Sequence, residues 1–209
     1  MATAGISDNV GWWSRIQPWL CLLPSALTLG LALVSSPRIP VGSWTQFYVD
    51  TLGWLSFVLG AALRWWSALY LASTPRTALM TSGPFSICRN PMQIGNLLLG
   101  FSLVLFVASA TFALGFAIGA AACLSMILAA EEKRLTRSHG TEYRQYCHRV
   151  GRFLIRPTLF QSPETLFIDA AQLAGELRLT AIWMWLPVVG KTMAQMRVET
   201  WWPHLLHLP

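Results

Sequence analysis

Apolar and polar positions in this chain are laid out in long blocks rather than in short periods. Four apolar stretches, at about 19–34, 47–72, 92–109 and 111–130, are each long enough to be read as a membrane-spanning helix. The first ends at Ser35-Ser36-Pro37, small polar residues and a proline that stop a helix. The second is long enough to cross with tilt. Between Arg89 and Glu131 no residue carries a formal charge. That run, about 40 residues, is too long for one crossing and right for two helices of roughly 20 folded into a hairpin. Its turn is expected near Ala108-Ser109-Ala110-Thr111, and charged groups then stand at both mouths of the hairpin, on one side of the bilayer.

Beyond the hairpin the pattern turns polar, with Lys133, Arg134, Arg137, Arg144, Arg149, Arg152 and Arg156 set against Glu131, Glu132 and Glu142. Ser162-Pro163-Glu164 reads as a helix start, with a capping serine, proline at the first position and an acid in the first turn. The helix that follows, to about Thr180, mixes Leu166, Phe167, Leu173 and Leu177 with Asp169, Gln172, Glu176 and Arg178. It is expected to lie on the membrane or on the cytoplasmic face of the bundle. A last apolar patch, 181–189, is broken by Pro187 and is read as re-entrant or interfacial rather than as a fifth crossing. The fold expected is all-α: an integral membrane helical bundle of about four transmembrane helices. Residues 1–157 form the core, including a cytoplasmic helical segment at 131–157, and 158–209 form an amphipathic or re-entrant extension.

Composition agrees with a membrane solvent: 54% of residues are hydrophobic and 11% charged, against about 25% charged in average proteins. The net charge of +6 gathers at one membrane boundary rather than along a soluble face. It is accounted for by anionic lipid headgroups and by the positive-inside rule, with no nucleic-acid partner. That rule puts the 131–157 segment and the N-terminus in the cytoplasm, with Arg15, Arg76 and Arg89 inside and Arg38 alone outside, as in a bacterial inner-membrane protein. The first apolar stretch is taken as a retained span rather than a removed leader. Cys21, Cys88, Cys123 and Cys147 show no paired spacing and are read as reduced. His204 and His207 have no cysteine or carboxylate spaced with them into a ligand set, so no metal site is expected.

The candidate chemistry lies at the hairpin mouth. Gly83-Pro84 makes a sharp turn, and Pro91 fits the first turn of a helix whose free N–H groups and positive dipole end lie beside Arg89, a place for a carboxylate. Glu131 and Glu132 end the returning helix, where the dipole disfavours them, so a cation should compensate; an ammonium or sulfonium ligand is one candidate. Snorkelling of Arg89 to headgroups and surface pairing of the glutamates with Lys133 or Arg134 are the plainer readings of each group alone. Tyr143, Tyr146 and Arg149 recur three apart, either as a wall over the mouth or as an interfacial anchor. Arg64, inside the second span, should face the protein interior, a cavity or the interface.

Taken together, Gly83-Pro84-Phe85, Arg89-Asn90-Pro91-Met92-Gln93-Ile94-Gly95, Glu131-Glu132-Lys133-Arg134-Leu135, His139-Gly140-Thr141-Glu142-Tyr143-Arg144-Gln145-Tyr146 and Val150-Gly151-Arg152-Phe153-Leu154-Ile155-Arg156-Pro157 resemble the membrane methyltransferases related to isoprenylcysteine carboxyl methyltransferase and the phospholipid N-methyltransferases. The likeness covers about the middle third of the chain. It implies that Gly83, Pro84, Arg89, Asn90, Pro91, Gln93, Gly95, Glu131, Glu132, Tyr143 and Tyr146 surround S-adenosylmethionine. It further implies that Arg152 and Arg156 help to hold an acceptor. Asn90 stands where the family commonly has histidine, and Gln93 where it has tyrosine.

The function expected is S-adenosylmethionine-dependent methyl transfer to a lipophilic or small acceptor, a carboxylate, amine, thiol or hydroxyl, at the cytoplasmic membrane face. Glu131 or Glu132 would take the proton of an amine or hydroxyl, and Arg152 or Arg156 would hold an anionic acceptor. The alternative is a catalytically silent membrane subunit that docks a protein partner through the C-terminal extension. A small transporter is a third reading, disfavoured by the absence of paired broken helices. Membrane lipids and the acceptor itself are the remaining partners expected.

Overall fold

The computed structural model describes residues 23–34, 39–40, 42–74, 78–199 and 201–202. The start of the first expected span, with Arg15 and Cys21, lies outside the described residues, as do Arg38, Arg76 and the His204/His207 pair. All the regular structure described is helical: α1 (Leu23–Leu33), α2 (Trp44–Ala72), the single turn α3 (Pro84–Ile87), α4 (Pro91–Val107), α5 (Ala110–Arg149), a 3-10 turn at Pro157–Leu159, α6 (Ala170–Trp183) and α7 (Trp185–Met196). By length and composition α2 and α5 are long and apolar enough to cross a membrane, while α1 and α4 are shorter apolar helices.

Local signals explain most of the boundaries. Ser43 caps α2 by accepting a hydrogen bond from the Gln46 N–H at 3.2 Å, and the Gln46 side chain accepts in return from Gly42 N–H at 2.7 Å. Ala108, in the left-handed region at φ 51°, closes α4, and Ser109 caps α5 by accepting from Phe112 N–H. Thus the hairpin turn is only two residues deep. Gly140, at φ 47° and ψ −111°, breaks the long α5 into arms at 110–139 and 141–149. At 1.5 Å per residue the first arm is about 45 Å long, more than a hydrocarbon core of about 30 Å, so it carries Glu131 and Glu132 to the end of the bundle.

The tightest packing is between α2 and α4. A Cβ on Gly60 would lie 2.9 Å from Gly95 O and from Leu99 N, and one on Gly95 would lie 3.0 Å from Gly60 O. Ser56 Oγ donates to Leu98 O at 2.8 Å across the same face. Small residues at the crossing let two backbones meet, the usual way membrane helices gain dispersion contact when lipid is as apolar as leucine. One turn further, Arg64, only 4% exposed, donates from Nη1 to Asn96 Oδ1, and Asn96 donates to Gln93 Oε1 at 3.2 Å. The expensive mid-span arginine therefore faces the protein interior. On the other side of the bundle α1 packs on α5, with Thr28 against Gly115.

The C-terminal extension differs from its expectation. The helix begins at Ala170, not after Ser162, and Asp169 Oδ1 accepts from Ala171 N–H at 2.9 Å. Ser162 is drawn into another partnership, its Oγ 2.8 Å from Tyr70 Oη, while Gln161 bonds to the Gly83 turn, so a good capping sequence is held in irregular backbone. Pro187 does not break the apolar patch: it sits in the first turn of α7, where its missing N–H has no intrahelical partner to lose. α6 lies along α2 and α7 along α4.

The Gly60/Gly95 crossing is the first place to test this packing. Gly95→Leu and Gly60→Leu are each expected to cost about 1–3 kcal/mol by overpacking against backbone that has nowhere to move. Gly100→Ala, which meets the movable ring of Phe116, is expected to cost less. Thermal unfolding in detergent checks this; unchanged melting in both leucine variants would refute the close crossing.

Candidate functional site

The site begins with a turn only glycine makes comfortably. Gly83 holds φ 60°, and a Cβ there would run into the ring of Tyr70. Pro84 then opens α3, Gly83 N–H donates to Gln161 O at 2.6 Å, and Ser86 Oγ donates to Gly83 O at 2.7 Å. Tyr146, on the second arm of α5, donates its hydroxyl to Phe85 O at 2.7 Å. The chain next runs beside 151–156: Arg89 N–H donates to Gly151 O at 2.9 Å, Arg156 N–H to Ile87 O at 3.0 Å, and Asn90 Nδ2 to Arg152 O at 3.1 Å. Asn90 is the residue before α4, yet its side chain makes no cap; it is spent on the irregular 151–156 segment, leaving the helix N-terminus uncapped by a side chain.

Phe85 of α3, the Arg89-Asn90 entry to α4, the end of α2 with Thr74, the 78–80 segment and both arms of α5 line a cavity of about 680 Å³. Arg89, Asn90, Glu131, Glu132, Tyr143 and Tyr146 all line it, so six of the residues singled out in the sequence come together. Its remaining wall is partly apolar, with Leu71, Leu79, Met80 and Leu135, and partly polar, with Thr74, Ser138, His139 and Arg134. The sequence reading did not select these residues. For Leu71, Leu79 and Met80 no signal existed, since an apolar wall residue looks like any other; His139 and Arg134 lay within the quoted motifs but carried no distinguishing spacing.

Four of the expected positions support the site without lining it. Gly83 and Pro84 build the turn, Pro91 is the buried first residue of α4, and Gly95 lies in the α2–α4 crossing. Gln93 also stays out of the cavity wall, bonded to Asn96. Arg152 and Arg156 are exposed; Arg156 contributes backbone, whereas Arg152 grips Glu132 with two bonds, Nε to Oε1 at 3.0 Å and Nη2 to Oε2 at 2.8 Å.

The charges of the site divide their work. Glu132 is held by the bidentate Arg152, and Arg89 Nη1 stands 3.7 Å from Glu132 Oε1. Arg89 also donates from Nη1 to Cys147 Sγ at 3.1 Å, and its Nε is buried with no hydrogen-bond partner. A buried guanidinium N–H left unmade costs free energy. Glu131, the first residue past the uncharged stretch, has no ion pair among the described residues. Burial pushes its carboxyl pKa up, with Arg134 pulling against this and Glu132 adding to it. Burial likewise raises Tyr143 to about 12 and Tyr146 further, so both remain neutral hydrogen-bonding walls at physiological pH. His139 lies 3.9 Å from Glu142, an ion pair only when the imidazole is protonated.

Among known proteins, the chain is 26% identical over 195 residues to the nickel-cobalt-cadmium resistance protein NccN of Alcaligenes xylosoxydans xylosoxydans, covering 93% of this chain and 90% of that one. It is 30% identical over 152 residues to the cobalt-zinc-cadmium resistance protein CzcN of Cupriavidus metallidurans, covering 71% of this chain and 68% of that one. No solved structure matches. The pattern of the phospholipid methyltransferases matches residues 26–142, from α1 to the second arm of α5 and so across most of the cavity wall: this chain belongs to the phospholipid methyltransferase family.

Proposed function

We propose that the protein transfers a methyl group from S-adenosylmethionine to a lipophilic or small acceptor at the membrane face that carries Arg89, Glu131 and Glu132. The observation that carries this reading is that Arg89, Glu131 and Glu132 line one cavity together with apolar groups. The residues fit the cofactor: Arg89 and the α4 N-terminus suit its carboxylate, Glu131 and Glu132 its cationic groups, and Leu71, Leu79 and Leu135 the adenine. When bound, the cofactor supplies an activated methyl on a sulfonium. The protein's part is then alignment and exclusion of water rather than extensive acid-base chemistry. Arg89 orients, the neutral Tyr143 and Tyr146 close one wall, and Arg152 keeps Glu132 in place. Glu131 accepts the proton of an amine or hydroxyl acceptor, whereas a thiolate or carboxylate needs no base.

The names of the two relatives favour a setting in resistance to divalent metals. Among the described residues no three His, Cys, Asp or Glu side chains come together as a metal site. We therefore read the contribution as modification of a lipid or small acceptor. A second reading, a scaffold that no longer transfers methyl groups and instead docks a partner, draws on the same names and on Gln93, which stays out of the cavity wall.

Titration calorimetry of the detergent-purified protein separates the two. Micromolar binding of S-adenosylmethionine and S-adenosylhomocysteine is expected, weakened tenfold to a hundredfold in Arg89→Ala, about 1.4–2.8 kcal/mol. A folded wild-type protein that binds neither would overturn the enzyme reading. With an amine or hydroxyl acceptor, the rate should rise with pH through a midpoint above the ordinary glutamate value of about 4.3, because the base works only when ionised and its burial delays ionisation. Glu131→Gln should lower the rate and flatten that limb; an unaltered profile would remove Glu131 from the role of base.

A further inference from the structure

The described part of the C-terminal extension is tied to opposite ends of the bundle. At the cavity end, Asp169 N–H donates to Ala72 O, the last residue of α2, at 2.9 Å. From there α6 follows α2 and α7 follows α4 away from the cavity. At the far end, Lys191 pairs with Asp50, six residues into α2, and Gly190 packs on Phe106 near the end of α4. Beyond α7, Arg197 Nη1 donates to Val107 O at 2.7 Å and Trp202 Nε1 to Leu33 O, the last residue of α1, at 2.7 Å. Val107 and Leu33 are helix ends, and α4 begins at the cavity, so both lie at the bundle end remote from Glu131.

We propose that α6 and α7 together make a further crossing of the bilayer, antiparallel to α2, so that Arg197, Val198, Glu199 and Trp202 emerge on the face opposite the cofactor cavity. Neither helix is long enough alone. The joint at Met184 keeps helical angles, φ −63° and ψ −17°, although the helix is interrupted there, so 170–196 is two helices placed end to end between the ties at Ala72 and Asp50. At 1.5 Å per residue it is about 40 Å long, more than the hydrocarbon thickness of about 30 Å. Its middle, at Ile182, Met184, Trp185 and Val188, is exposed and apolar, as is the stretch of α2 between Asp50 and Arg64, at Trp54, Leu55, Val58 and Leu59. Such surfaces belong against lipid. The charged residues fall toward the two ends: Glu176 and Arg178 in the half nearer the cavity face, and Lys191 at the far end, neutralised by Asp50. Arg178 is exposed and long enough to extend its head toward that nearer interface.

The inference rests on the bundle's lying in a membrane and not on methyl transfer. Its consequence concerns access. A second cavity of about 340 Å³, bounded by Asp50, Val107, Lys191 and Arg197, opens at the far end, and a protein recognising Val198, Glu199 or Trp202 has to stand on that side. The sidedness test uses the full-length protein with either Glu164→Cys or Glu199→Cys, both exposed positions outside the cofactor cavity. Each is treated with a membrane-impermeant maleimide in spheroplasts and in inverted vesicles, with the wild-type protein giving the background from native thiols. The two variants are expected to label from opposite sides. Labelling of both from the same side would overturn the crossing. Independently of labelling, Asp50→Lys and Lys191→Asp should each lower the melting temperature in detergent, and the doubly reversed protein should recover it. A double variant no better than the singles would break the α2–α7 contact and the inference with it. Neither measurement needs the cofactor, so a failure of methyl transfer would leave both readable.

Discussion

Everything at the functional end depends on how closely α2 and α4 meet at Gly60 and Gly95. With backbones in contact there, Arg64 of α2 reaches Asn96 of α4. The same alignment brings the last turn of α2, with Leu71 and Thr74, beside Arg89 and Asn90 at the start of α4, and these form two walls of one cavity. A side chain at either glycine would separate the helices and open the wall between them. The site is therefore set from the middle of the apolar bundle as much as from the polar loops that line it.

Those loops are themselves tied in a fixed order. The Gly83 turn is held from behind by Tyr70 and Gln161 and from above by Tyr146, while 151–156 runs beside Ile87, Arg89 and Asn90. Residues far apart in sequence thereby close on each other through backbone hydrogen bonds, which hold position without adding charge. The bend at Gly140 folds the second arm of α5 back over the cavity so that Tyr143 and Tyr146 are buried rather than left at the interface. Of the two roles open to these tyrosines, wall and anchor, the geometry takes the wall.

Much of this was legible wherever a signal is local. Glycine followed by proline means a turn, proline at the start of an apolar run means a helix N-terminus, and charges bounding an uncharged run of two helix lengths mean a hairpin with a shared mouth. Arg89, Asn90, Glu131 and Glu132 could thus be placed together before any coordinates. What failed was settled by partners distant in sequence. Ser162 has the local marks of a helix cap, but a hydroxyl already engaged by Tyr70 is not available, and the helix waits for Asp169. Pro187 reads as a break until its register is known, and at the third position of α7 it breaks nothing. Gln93 and Gly95 sit one turn into α4, where the face a residue presents depends on which helix packs against it. That helix is α2, and both are committed to the α2–α4 side rather than to the cavity.

The arrangement of Arg152, Glu132 and Arg89 carries the electrostatic logic one step further. Had Arg89 taken Glu132 in a bidentate pair, the cavity would hold a neutralised arginine with little left for an anionic ligand. Instead Arg152, exposed and outside the cavity wall, satisfies both oxygens of Glu132, and Arg89 stands off at 3.7 Å. Its desolvation has been met by the fold, while a donor remains unmatched. That leaves a partly buried cation oriented by a neighbouring carboxylate but not consumed by it, and beside it a second carboxylate, Glu131, that burial inclines toward its neutral form. A zwitterionic ligand presents to such a pair complementary groups: an anionic group for Arg89 and a cationic one that would favour the charged form of Glu131. The empty pairing positions are thus opposite in sign and a few residues apart across one cavity, and a ligand with a single charge would answer only one of them.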